Sequence, residues 1–136
     1  MKKLFLFAIL FIALTSCSDQ LREEVVQSYD NGQASCIHYL NKKNECVREV
    51  QYYENGAIKM EGEMKNDKRS GEWKSYFLDG KVQSTGYFEN GIRTGEAKIY
   101  HENGNLYMEG QYKDGQKKGP WIFYDEQGFV TGKQTF

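Results

Sequence analysis

Hydrophobic and polar positions alternate with a period of two through much of the chain. Ile58, Met60, Gly62 and Met64 are interleaved with Lys59, Glu61 and Glu63. A second stretch sets Val82, Ser84, Gly86 and Phe88 against Gln83, Thr85 and Tyr87, and a third carries Leu106, Met108, Gly110 and Tyr112. This alternation predicts half-buried β-strands. Each run follows Asn55-Gly56, Asp79-Gly80 or Asn103-Gly104. Such dipeptides predict tight type I′ hairpins, in which both central residues take positive φ. A second turn is expected at Asn66-Asp67-Lys68, Asn90-Gly91-Ile92 and Asp114-Gly115-Gln116. The return strand then starts near Gly71, Gly95 or Gly119 and runs through Trp73 or Trp121 to a tyrosine.

The pattern recurs every 24 residues. Gly32, Gly56, Gly80, Gly104 and Gly128 form one column, and Tyr52, Tyr76, Tyr100 and Tyr124 form another. Gly62, Gly86 and Gly110 stay in phase with them, as do Gly71, Gly95 and Gly119. A fixed period in this range marks a repeat architecture. Two strands of about eight residues with two short turns fill one unit, which predicts an all-β antiparallel meander. The first unit starts in phase, with Val26-Gln27-Ser28-Tyr29 ahead of Val50-Gln51-Tyr52-Tyr53, and then degenerates, placing His38 where later units have Gly62 and Gly86. A mid-strand glycine marks close approach of another group. The expected visitor is a ring from the neighbouring strand, Trp73 or Trp121.

Glu109-Gly110-Gln111-Tyr112-Lys113-Asp114-Gly115, followed by Gly119-Pro120-Trp121, resembles the MORN repeat. Tyr76-Phe77-Leu78-Asp79-Gly80-Lys81-Val82 and Tyr100-His101-Glu102-Asn103-Gly104-Asn105-Leu106 look like its bacterial variant, found in proteins often labelled YwqK-family antitoxin. The resemblance covers roughly residues 25–134. It implies β-hairpins stacked into an elongated, twisted single sheet. The chain departs from the pattern at Asp67, where other units have Gly91 and Gly115, and at Ala97, where they have Trp73 and Trp121. An open sheet exposes two edge strands, and Lys117, Lys118 and Lys133 are candidates for protecting the late edge.

The amino terminus follows another logic. Lys2 and Lys3 precede an apolar run from Leu4 to Leu14, 11 residues long, which ends in Leu14-Thr15-Ser16-Cys17. The run is too short to span a bilayer, which takes ~20 residues. The segment resembles a bacterial lipoprotein signal peptide (residues 1–16), which implies cleavage before Cys17 and lipidation of its thiol. Residues 17–24 would form the lipidated cysteine and a polar tether, and residues 25–136 the repeat domain. Ser18, rather than Asp, after the cysteine suits the outer membrane of a Gram-negative envelope. Export to an oxidising compartment makes Cys36 and Cys46 a candidate disulfide across a turn-like Asn41-Lys42-Lys43-Asn44.

Charge and motifs narrow the function. Without Lys2 and Lys3 the chain has 16 basic and 19 acidic residues, net −3. No basic stripe stands out, so nucleic acid is not an expected partner. Nucleophile elbow, phosphate loop and zinc-helix motifs are missing, so no enzyme activity, metal site or cofactor is expected. Glu61 and Glu109 share a column but stand two repeats apart, ~20 Å at the strand spacing, too far for an acid/base pair. His101 occupies a variable strand position shared with Tyr53, Phe77 and Asp125. The candidate binding surface is Tyr52, Tyr76, Tyr100, Trp73 and Trp121, large rings suited to a protein, glycan or lipid-headgroup ligand. The expected function is a membrane-anchored, non-enzymatic protein-binding or scaffold module at the cell envelope. A toxin-neutralising lipoprotein is the alternative, and direct glycan or lipid binding a third.

Overall fold

The computed structural model describes residues 20–136. Ten antiparallel strands form one sheet in chain order. They are β1 (Arg22–Ser28), β2 (Ala34–Leu40), β3 (Cys46–Tyr52), β4 (Ile58–Lys65), β5 (Lys68–Tyr76), β6 (Val82–Glu89), β7 (Ile92–Tyr100), β8 (Leu106–Lys113), β9 (Gln116–Tyr124) and β10 (Val130–Thr135). The meander and the single open sheet are as the alternation and the repeat imply. β1 starts at Arg22, inside the stretch expected to be tether. The leader and Cys17 lie outside the described residues. Of the three lysines offered as edge protection, Lys133 alone lies on an edge strand, β10. Lys117 and Lys118 sit on β9, one strand in.

The type I′ turns fall at the second set of connections, not at the Asn55-Gly56 set where they were expected. Positive φ at both central residues, the type I′ signature, occurs at Asn66-Asp67, Asn90-Gly91 and Asp114-Gly115. These make the two-residue connections β4–β5, β6–β7 and β8–β9. Asp67 adopts φ 57° without being glycine. At Asn55-Gly56, Asp79-Gly80 and Asn103-Gly104 only the glycine is left-handed. There the loop is longer, closed by Tyr53 N–H on the Ala57 carbonyl, Phe77 on Lys81 and His101 on Asn105. The Asn or Asp side chain accepts from the N–H two residues on, as Asn55 does from Ala57 and Asp79 from Lys81. That Asx geometry holds the residue in ordinary φ space.

Gly71, Gly95 and Gly119 do not begin strands. Each lies inside β5, β7 or β9 with φ near +65° to +69°. The ladder slips beside Gly71, where Gly62 faces Trp73 but Glu63 faces Ser70. This is a glycine β-bulge, which sharpens local twist.

The sheet has two unlike faces, fixed by period-two alternation. One carries Cys36, His38, Glu49, Met60, Gly62, Trp73, Ser75, Ser84, Gly86, Ala97, Ile99 and Gly110, linked through the cross-strand register, with Trp121 seated on Gly110. The other carries Arg48, Glu61, Glu72, Lys74, Thr85, Glu96, Lys98 and Glu109. Among the described residues the buried apolar side chains are Cys36, Leu40, Cys46, Val50, Trp73, Ala97 and Trp121. A single sheet cannot enclose a thick core, so large rings laid flat supply the burial.

Candidate binding face

The tryptophan face is built from glycine–ring pairs. Trp73 on β5 faces Gly62 on β4, and a Cβ on that glycine would sit 2.3–2.5 Å from the indole ring. Trp121 lies over Gly110 in the same way, at 2.3–2.6 Å. Gly62 and Gly110 therefore seat rings, as expected. The indoles are 3% and 0% exposed. Trp73 Nε1 donates to the Glu63 carbonyl at 3.0 Å. Trp121 Nε1 is buried without an acceptor among the described residues. The ring packs between Tyr112 (5.2 Å) and Phe136 (6.4 Å) in edge-to-face contacts.

Between the two indoles the series is interrupted. Ala97 on β7 faces Gly86, and nothing lies within 4 Å of the position a Gly86 Cβ would take. The missing ring leaves a cavity of about 70 Å³, open on one side. Met60, Trp73, Ile99 and Trp121 give it apolar walls, and Ser75 and Ser84 join hydroxyls at 2.7 Å in its lining.

Cations cap this face. The Arg69 guanidinium lies 4.1 Å from the Trp73 ring centroid and 5.6 Å from that of Phe88. Arg93 bridges Phe88 and Tyr112 at 5.5 and 5.3 Å. Lys117 lies 4.3 Å from Trp121 and 4.9 Å from Phe136. Each cation–ring contact contributes on the order of 0.5–1 kcal/mol at such sites. Arg69, Arg93 and Lys117 are 24 apart, as are Phe88, Tyr112 and Phe136. The in-phase cation column was visible in the sequence and marks the face better than the tyrosines do. Both arginines also line the cavity, and among the described residues neither is paired with a carboxylate.

The five rings proposed as one surface do not form one. Tyr76 is three residues after Trp73, so alternation sends it to the opposite face. There its hydroxyl donates to Glu61 Oε1 at 2.6 Å, and Tyr124 donates to Glu109 at 2.7 Å. Burial, then the Glu61 carboxylate, push the Tyr76 hydroxyl up to about 12. Tyr52 also rises to about 12, through burial and then its bond with Tyr39. Tyr100 lines a shallow polar depression with Thr85 and Lys98. The hydroxyls of Tyr52, Tyr76 and Tyr124 are thus spent inside the sheet. Glu61 and Glu109 serve as acceptors in these rungs. His101 is not a passive variable position either. Its Nε2 donates to the Tyr124 carbonyl at 3.0 Å, as the Tyr53 hydroxyl does to Tyr76 at 2.8 Å.

Cys36 and Cys46 do not form the expected disulfide. Both are free and buried. The β2–β3 register sets Cys36 opposite Gln51 and Cys46 opposite Leu40. Four residues of offset separate them by ~13 Å along the strands, against a limit of about 7 Å between bridged Cα atoms. A ladder slip next to Leu40 ends the symmetry that the spacing suggested. Burial, then the nearby Glu49 carboxylate, push the Cys36 thiol up to about 11.

Residues 47–66, 69–90 and 93–114 match the MORN repeat variant, each spanning the strand pairs β3–β4, β5–β6 and β7–β8. The chain carries MORN repeats. Each MORN match contains one of the glycines 62, 86 and 110. The cavity therefore opens between repeats that differ at the Trp column. No curated protein matches the chain.

Proposed function

We propose that this MORN-repeat protein is a non-enzymatic binding module that uses its tryptophan face to hold a protein partner. The carrying observation is the gap opposite Gly86, where Ala97 stands in the place of an indole. An apolar side chain from a partner completes the ring series, desolvating a pocket already walled by Trp73, Ile99 and Trp121. Arg69 and Arg93 favour a carboxylate beside that side chain, since guanidinium groups pair with carboxylates in a planar fork. The opposite face offers a weaker basis, because its charges pair internally, as in Lys74–Glu72 at 3.1 Å and Lys98–Glu96 at 3.0 Å.

Membrane attachment through Cys17 belongs to the same proposal and rests on the leader sequence. It places the module at the cell envelope, on the periplasmic side or at the outer membrane. A toxin-neutralising role differs only in the partner's identity and would use the same face. The test is partner capture by crosslinking from membranes, comparing the native protein with A97W, in which an indole fills the gap. A Cys17→Ser control reads whether capture needs the anchor. Equal capture by native protein and A97W removes the proposal.

A further inference from the structure

The first unit diverges from the others at three positions of one face. His38 occupies the column of Gly62, Glu49 that of Trp73, and Cys36 that of Met60. Where later units stack a ring on a glycine, this unit thus sets an imidazole against a carboxylate. The register makes the meeting unavoidable. His38 on β2 is paired directly with Glu49 on β3, and Cys36, two residues before His38, shares its face. His38 Nε2 lies 3.1 Å from Glu49 Oε2. The Cys36 sulfur, the imidazole nitrogen and the carboxylate oxygen all fall within 4.8 Å of one another.

We propose that Cys36, His38 and Glu49 form a binding site for a single zinc ion. The donor set is one thiolate, one imidazole and one carboxylate. That mixture suits zinc, which takes S, N and O ligands, and excludes magnesium and calcium, which take oxygen alone. Zinc bonds of about 2.0–2.3 Å ask the three donors to stand roughly 3–4 Å apart, so little movement is required. The carboxylate is already held from behind, as Gln51 Nε2 donates to Glu49 Oε1 at 2.9 Å. Such outer partners orient ligands and sharpen affinity. The group is sheltered too, with Cys36 buried and the His38 and Glu49 side chains 27% and 14% exposed. Three protein ligands leave a fourth position for water or a partner's side chain. On coordination the Cys36 thiol releases its proton to solvent, and the Nε2···Oε2 contact is replaced by two bonds to the ion. Cys46 is not a member, since its thiol donates to the Arg48 carbonyl at 3.4 Å. The site stapling β2 to β3 would take the role that indole–glycine stacking has in later units.

The test uses the full chain, stripped with a chelator and titrated with zinc in competition with a colorimetric chelator. One ion per chain is expected, with affinity at least tenfold weaker in C36S, H38A and E49Q and unchanged in C46S. Cobalt(II), as a spectroscopic stand-in, should give a thiolate charge-transfer band in the native chain and in C46S but not in C36S. This band reports sulfur ligation in the native protein, so it does not depend on the variants folding. Absence of the band in the native chain, or its survival in C36S, overturns the proposal.

Discussion

Ala97 faces Gly86 across the β6–β7 ladder, and the space above that glycine is open. In the flanking units the same pair of positions is filled by Trp73 on Gly62 and Trp121 on Gly110. The seat for a ring is therefore present in the middle repeat without the ring. Placing an indole there in A97W should restore the series. Cavity filling of this kind commonly adds about 0.5–2 kcal/mol. Thermal or denaturant unfolding should show A97W more stable than the native protein, and a lower midpoint would show that the seat does not accept an indole.

The glycines should sort by what lies above them. In G62A and G110A the new methyl group would meet an indole at 2.3 Å, so the ring must leave its seat. Overpacking costs roughly 1–3 kcal/mol. In G86A nothing is met within 4 Å, and the change should fall within about 0.5 kcal/mol of native. Equilibrium unfolding of the three variants checks the order. Equal losses at all three positions would mean that backbone freedom, not the ring, selects glycine there.

Much of this was legible in the sequence, and the failures have identifiable causes. Alternation and the 24-residue phase suffice for ten strands in order, and the glycine–indole pairing followed from a small residue in mid-strand. Parity also contained the separation of Trp73 from Tyr76, because an offset of three reverses the face. The turn types were not legible. Asn-Gly serves a type I′ turn at Asn90-Gly91 and an Asx loop at Asn55-Gly56. The choice is made by the ladder slip beside Tyr52 and Ile58, a property of two strands together. The Cys36, His38 and Glu49 group was hidden for the same reason. Its members meet across a hairpin rather than in a sequential motif.

Acid should expose the rung at Glu61. Burial works to raise its pKa, but the Tyr76 hydroxyl and the Arg48 guanidinium outweigh that and hold it below the ordinary 4.5. A carboxylate depressed in the folded state contributes stability above its unfolded pKa and loses it as pH falls through the folded value. E61Q should therefore be less stable than native near pH 7. The difference in melting temperature should shrink as pH drops below about 4.5. A gap that stays constant down to the acid limit of folding would show that ionisation of Glu61 is not coupled to stability.

The register predicts free thiols even in an oxidising compartment. Protein purified without reductant, then chelated and unfolded, should take alkyl label at both Cys36 and Cys46. Peptide mass spectrometry reads this directly. A crosslinked Cys36–Cys46 peptide would mean that the β2–β3 register differs from the one described.

The open seat beside Ala97 is proposed to receive a partner's side chain. The most direct measurement compares crosslinked capture from membranes by the native protein and by A97W, each first shown to be folded by its melting curve. A protein should be enriched by the native chain and lost with A97W, although the variant is at least as stable. The same protein recovered equally by both would contradict it.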